Sequence, residues 1–342
     1  MQVTTFGLDL AKRIFQLHWV DRETGEICRC QLRRGQVADF FANREPGVIA
    51  MEACGSAHYW ARTFVALGHE VRLIAGQFTR PFVKSNKTDV ADAQAIWEAA
   101  QRPGMKFVAV KSEAQQAVLT LHRMRSQLVK IRTMQVLQMR GLLYEFGADL
   151  PQGRQRGMAR IPVELEKLEE RLPTMMIDAL REQVKRITNL DEDIAEIERK
   201  LTAWKKEDKA AKKLMSIPGV GLLTATAAVA TVGNATVFKN GREFAAFVGL
   251  VPRQSGTGGR VKLLGISKRG DVYLRTLLIH GARSVITHAK QREPWLSKLL
   301  ARRPLNVAVV ALANKMARTI WALLAHDRIY QPGHAALPAY NQ

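Results

Sequence analysis

Apolar residues in the first hundred positions come in short runs separated by stretches of helical spacing. Residues 2–10, 14–20, 26–32, 47–52 and 70–75 read as strands. Asp21-Arg22-Glu23-Thr24-Gly25 is a hairpin turn between the second and third. Residues 35–44, Gly55 to Leu67 and the stretch from Thr88 to about Arg102 read as helices, the last two stopped by Gly68 and by Pro103-Gly104. Three adjacent strands followed by alternating strands and helices predict a mixed sheet with helices packed on it, an α/β domain over residues 1–110.

The pattern changes over residues 111–208. Leu121, Met124, Leu128 and Ile131 recur at three-four spacing, and Ile177, Leu180, Val184, Ile187, Leu190, Ile194, Ile197 and Leu201 form a narrow seam. A break rich in Gly and Arg, Pro151 to Arg160, separates the two. Two long helices with such seams suit a coiled coil that pairs with a partner chain, and an ordinary bundle within one subunit is the other reading. Residues 209–342 read as mostly helical, with Val272 to about Thr287 and residues 304–325 as helices. Ile217-Pro218-Gly219-Val220-Gly221 before Leu222 to Val232 has the pattern of a helix-hairpin-helix. Its Gly219 and Gly221 would let backbone N–H groups approach a phosphate. Pro252-Arg253-Gln254-Ser255-Gly256-Thr257-Gly258-Gly259-Arg260 reads as a phosphate-handling loop.

Charge changes this picture more than composition does. The net charge of +21 divides as +3 over residues 1–110, +2 over 111–208 and +16 over 209–342. A segment that basic repels itself unless it meets a polyanion, usually nucleic acid. Candidate contacts are Lys12, Arg253, Arg260, Lys262, Lys268 and Arg269, with Arg123, Arg125, Lys130 and Arg132 on a helix that carries no acid between Ala114 and Tyr144. No apolar run reads as a membrane span and no secretory signal opens the chain, so the expectation is a cytoplasmic protein without a membrane partner. Cys28, Cys30 and Cys54 lack the second pair that zinc spacing needs and read as free thiols.

Four acids stand out. Asp9 and Glu52 each end an apolar strand, and Asp89 and Asp92 open a helix at i and i+3. Carboxylates at the ends of core strands are costly unless something compensates them. If the helix lies over the sheet edge the four converge, and a convergent set of oxygen ligands suits hard divalent ions of the kind that assist phosphodiester chemistry.

Gly7-Leu8-Asp9-Leu10-Ala11-Lys12, Met51-Glu52-Ala53-Cys54-Gly55-Ser56 and Lys87-Thr88-Asp89-Val90-Ala91-Asp92-Ala93 resemble motifs of the DEDD transposases of the insertion sequence 110 / 1111 family. Ile217 to Gly221, Phe244 to Gln254 and Ile266 to Asp271 resemble that family's second domain, in the same order. The resemblance implies a RuvC-like (RNase H-type) first domain, a coiled-coil middle and a C-terminal transposase domain. It implies that Asp9, Glu52, Asp89 and Asp92 bind Mg²⁺, or Mn²⁺ in its place. It further implies a hydroxyl nucleophile in the C-terminal domain, a structured guide RNA that pairs with target and donor DNA, and dimers that assemble into tetramers with shared active sites. Counted without gaps from the family's Pro-Arg motif, the nucleophile falls on Thr257. Ser255 lies two residues earlier and is the less hindered hydroxyl.

Three other classes compete. A RuvC-like junction endonuclease would use water and need neither hydroxyl. A kinase of the actin-like class would need Gly-rich phosphate loops, which residues 1–110 do not carry. A non-catalytic RNA-binding or architectural protein explains the charge and leaves the acids without a role.

Overall fold

The computed structural model describes residues 3–83, 88–289 and 292–332, and these divide into two compact units, Met1–Ala114 and Gln115–Gln342. In the first unit β1 (Thr5–Asp9), β2 (Ile14–Val20), β3 (Ile27–Arg33), β4 (Val48–Glu52), β5 (Glu70–Ile74) and β6 (Phe107–Val108) form one sheet. Its order is β3-β2-β1-β4-β5-β6, with β1–β4 and β4–β5 parallel and the remaining pairs antiparallel. The helices are α1 (Val37–Ala42), α2 (Ala57–Ala66), α3 (Gly76–Thr79) and α4 (Asp89–Ala100).

Alternation along the strands builds two cores. Phe6, Leu8, Phe15, Leu17, Ile49 and Met51 face α1 and α2, where Phe41, Trp60 and Phe64 fill the layer. Ala50 and Ile74 face the other way, towards Ile96, Ala99 and Ala100 of α4. Gly7 also lies on the α4 side. A Cβ there would come 2.7 Å from Trp97 Cβ and overlap the Ala93 carbonyl oxygen, so β1 and α4 are in backbone contact at this point. Trp97 Nε1 donates to Thr5 O at 3.1 Å. With Trp97 beside Thr5 and Ala93 beside Gly7, α4 runs antiparallel to β1 and starts at the end where β1 stops. Gly7→Ala should therefore push α4 off the sheet. The expected cost is about 2–3 kcal/mol of unfolding free energy, read by urea denaturation.

The second unit is built from α5 (Glu113–Glu145, its first turn in the first unit), α6 (Arg154–Glu169), α7 (Thr174–Glu207), α8 (Lys209–Leu214), α9 (Leu222–Val232) and α10 (Gly241–Val248). A hairpin of β7 (Pro252–Thr257) and β8 (Arg260–Ile266) follows, then α11 (Val272–His288), α12 (Pro294–Leu300) and α13 (Leu305–Ala325). Three expectations need correction. The seam of α7 is spent inside the chain: Ile177, Leu180, Ile187, Ile194, Ile197 and Leu201 are buried, so they do not await a partner chain. Arg125 and Arg132 fasten α5 to the same helix, through Glu198 and Asp191 at 2.7 and 2.6 Å. These two pairs step along the helices in opposite directions, so α5 and α7 are antiparallel.

The stretch expected as a break is helical from Arg154. Arg140 holds its start by donating to the carbonyls of Leu150, Pro151 and Gly153, and Gly157 leaves room for that guanidinium. Finally, α13 is long and apolar enough to cross a membrane by length and composition, against the expectation of no such run. Its Ala308, Val309, Ala313, Met316, Ala317 and Ile320 are buried in the core shared with α10 and α11, which accounts for its apolar character.

Candidate active site

The acids gather at one end of the sheet. One residue beyond the last register pair, Leu8–Met51, Asp9 and Glu52 close two adjacent parallel strands. Thr79 Oγ1 donates to Glu52 Oε2 at 3.1 Å. A Cβ on Gly76 would lie 2.7 Å from Glu52 Oε1, so glycine at 76 leaves the space that this carboxylate fills. Thr88 caps α4 by accepting from the Ala91 N–H at 3.2 Å, which sets Asp89 and Asp92 in the first turn, where the helix dipole favours negative charge. Because α4 starts where β1 stops, both helical acids lie towards the end that carries Asp9 and Glu52. Cys54, two residues past Glu52, reports the local field. Its thiol is pushed up by desolvation first, and then by the charges of Glu52 and Asp9.

The donor set is all carboxylate oxygen, which fits a hard divalent cation in kind. Among the described residues, however, no three His, Cys, Asp or Glu side chains stand close enough to form a ligand group. The geometry brings Asp9 and Glu52 side by side and puts Asp89 and Asp92 at the same end, without closing the four into one cluster. Lys87, part of the motif, lies outside the described residues. Lys12, just past β1, is exposed.

In the second unit the expected phosphate loop is a β-hairpin. Gly258 (φ 55°) and Gly259 (φ 78°) form a two-residue turn with both residues left-handed, the type I′ geometry that matches strand twist. Ser255 pairs with Lys262 and Thr257 with Arg260, so both hydroxyls share a face with two cations. Gln254–Leu263 and Gly256–Val261 make the other face. Every residue from Pro252 to Gly265 is exposed.

The strand returns through Ser267 to Asp271, and this segment is pinned at both ends. Ser267 N–H donates to Val251 O, Lys268 N–H to Gly249 O, and the buried Arg275 donates to Val248 O and Arg269 O. Asp271 caps α11 by accepting from the Leu274 N–H at 2.8 Å. Lys268 and Arg269 are left exposed, and with Arg253, Arg260 and Lys262 none is joined to a carboxylate among the described residues.

The remaining candidates separate. Helices α8 and α9 flank the Pro-Gly turn as the sequence suggested. The turn's Gly219 (φ 83°) is explained by packing: a Cβ there would lie 2.8 Å from Gly281 O on α11. Gly221 is the exposed N-cap of α9. On α5, Arg123 and Lys130 are exposed, whereas Arg125 and Arg132 are committed to α7.

A buried network joins residues that no sequence motif links. Thr226 Oγ1 donates to Leu222 O at 2.8 Å, so it must accept from His122 Nε2–H at 3.0 Å. His122 Nδ1 then accepts from the Tyr273 hydroxyl at 3.0 Å, and Arg125 donates to that same hydroxyl. The chain of bonds ties α5 to α9 and to the start of α11. Burial, and next the charge of Arg125, lower the His122 pKa to about 4. Above the unfolded value near 6.5 both states are neutral there. As pH falls from 6.5 to 4 only the unfolded chain takes the proton, so stability drops. The loss is roughly 3 kcal/mol by pH 4. Urea unfolding across this range should show that slope in the wild type and a flatter one in His122→Gln.

Comparison with known proteins agrees with this layout. A family profile described as a transposase, of the DEDD type named for IS110, matches residues 6–147, and a second, described as the transposase IS116/IS110/IS902 family, matches residues 211–298. The "Probable family 20 transposase" of Pseudomonas aeruginosa is 50% identical over 97% of this chain and 100% of its own. The "Transposase for insertion sequence element IS1111A" of Coxiella burnetii is 43% identical over 97% of this chain and 92% of its own. The "Transposase for insertion sequence element IS1328" of Yersinia enterocolitica is 40% identical over 96% of this chain and 98% of its own. With the acid-ended strands in the first unit and the basic helical assembly in the second, the chain belongs to the IS110/IS1111 family of insertion sequence transposases.

Proposed function

We propose that this transposase exchanges DNA strands by transesterification at a hydroxyl of the β7–β8 hairpin, with Ser255 as the nucleophile. The observation that carries the reading is the shared face of Ser255, Thr257, Arg260 and Lys262. Ser255 Oγ attacks the scissile phosphorus, its proton is lost, and a phosphodiester to serine forms as the bond to one sugar oxygen breaks. That oxygen leaves and takes a proton. A hydroxyl of the incoming strand then attacks the same phosphorus and restores the serine. Lys262, directly across from Ser255, favours its ionised form. Arg253 and Arg260 hold phosphate oxygens.

Asp9 and Glu52, with Asp89 and Asp92, would hold Mg²⁺ or Mn²⁺, which when bound lowers the charge on phosphate oxygens and the pKa of an attacking hydroxyl. Glu52 is kept in place by Thr79, and α4 by its contact at Gly7.

The wider reading is a RuvC-like first domain over residues 1–110, a middle over 111–208 in which α5 and α7 form an antiparallel coiled coil within the chain, and a transposase domain over 209–342. It acts in the cytoplasm as a dimer that assembles to a tetramer. A structured RNA of the element chooses target and donor DNA by base pairing, while the protein holds backbones. The exposed Lys12, Arg123, Lys130, Lys268 and Arg269, with the N-terminus of α9 at Gly221, suit such backbone contacts. A protein–DNA adduct that survives denaturation tests the chemistry. Strand exchange without an adduct, retained when Ser255 and Thr257 are both replaced by alanine, would favour a water nucleophile instead.

A further inference from the structure

The hairpin has a second face, and its chemistry is the opposite of the first. Val261 and Leu263 lie next but one on β8, opposite Gly256 and Gln254. They are 66% and 63% exposed, although both are large apolar side chains on a regular strand. A ribbon this narrow puts the two faces within one backbone thickness of each other. Whatever the Ser255 face grips is therefore also within reach of the apolar face. Arg253, Arg260, Lys262, Lys268 and Arg269, none joined to a carboxylate among the described residues, line and flank the hairpin in a segment of net charge +16, so the object it meets is a polyanion. A DNA strand offers phosphates for the cationic face, and its only large apolar surfaces are the faces of its bases. Duplex DNA hides those faces in the stack, and leucine and similar side chains are known to wedge between base steps.

We propose that Val261 and Leu263 pack against the bases of the DNA strand held by the hairpin, and keep bases next to the scissile phosphate out of the stack. The inference rests on the nucleic-acid reading above and assigns the face of the hairpin that the proposed chemistry leaves unused. Holding bases unstacked would also free them to change pairing partner during strand exchange.

Abasic DNA separates the two faces, since it keeps the phosphates and lacks the bases. Fluorescence anisotropy would compare the full-length protein binding a labelled mixed-sequence single strand and an abasic strand of equal length. The wild type should prefer the base-bearing strand by about tenfold. Val261→Thr/Leu263→Thr, which places β-branched strand formers at both positions, should reduce that preference to within about twofold and keep the salt dependence. Lys262→Gln should instead weaken both strands equally and lower the salt dependence. Equal affinity of the wild type for the two strands overturns the proposal. So does an unchanged preference in the threonine variant. A threonine variant that keeps the preference but changes oligomeric state, read by light scattering, assigns the face to a second copy of the chain and also overturns it. If a covalent adduct still forms in any of these cases, the catalytic reading stands while this inference falls.

Discussion

Asp9→Asn is expected to lower strand exchange by at least about 10³-fold while leaving affinity for DNA, and for the proposed guide RNA, within about twofold of wild type. The asymmetry follows from where the charge is. Asp9 belongs to a unit whose residues 1–110 carry a net charge of only +3, so removing one carboxylate there does little to hold or repel a polyanion. Its place at the end of β1, beside Glu52 at the end of β4, is the feature that the proposed chemistry needs and binding does not. The change preserves shape, and the β1 core residues Phe6 and Leu8 are untouched. Thermal unfolding should therefore shift by less than about 1 kcal/mol. One readout is independent of activity. Desolvation chiefly raises the Cys54 thiol pKa, and Glu52 and Asp9 raise it further. Asp9→Asn should let Cys54 alkylate at lower pH than in the wild type, with part of the shift retained because burial is unchanged. A Cys54 titration identical to wild type would contradict the adjacency of these groups.

Ser255→Ala should abolish covalent attachment of DNA and reduce strand exchange by about 10⁴-fold or more, since no neighbouring group replaces a lost nucleophile at the same position. Thr257→Ala should be milder, about tenfold. Thr257 shares the face and pairs with Arg260, yet it sits at the turn, next to Gly258. Both positions are exposed on a strand, so neither change removes packing and neither should alter the melting temperature. The reverse order of effects would move the chemistry to Thr257, the position given by counting from the family motif.

The hydrophobic pattern made the first unit legible because its strands bury one or both faces. Phe6 and Leu8 alternate against Gly7, and the acids then stand out at Asp9 and Glu52 as breaks in that pattern. The β7–β8 hairpin reads as a loop in the sequence for the converse reason. Pro252 to Thr257 contains no apolar side chain beyond proline and buries nothing, so no alternation marks it as a strand. The signal that remained was Gly258-Gly259 between two short runs, the dipeptide a type I′ turn demands.

In the middle segment the α7 seam was visible, but a seam does not say which chain covers it. Arg125 and Arg132 answered that through Glu198 and Asp191, seven residues apart on both helices. In the sequence the same two arginines resemble a phosphate-binding face because their partners lie far along the chain. The His122 network was invisible for that reason too, since Thr226 and Tyr273 come from helices remote in sequence.

The most direct test of the account is the site of the covalent bond. The protein, purified with the proposed guide RNA, would be incubated with Mg²⁺ and a donor DNA nicked beside the scissile phosphate so that exchange stalls. Tryptic cleavage after Arg253 and Arg260 then releases both candidate hydroxyls on one peptide, residues 254–260. Fragmentation of that peptide in the mass spectrometer locates the nucleotide. The account predicts a nucleotide on Ser255, absent in Asp9→Asn and in Ser255→Ala. Efficient strand exchange with residues 254–260 recovered unmodified would contradict it.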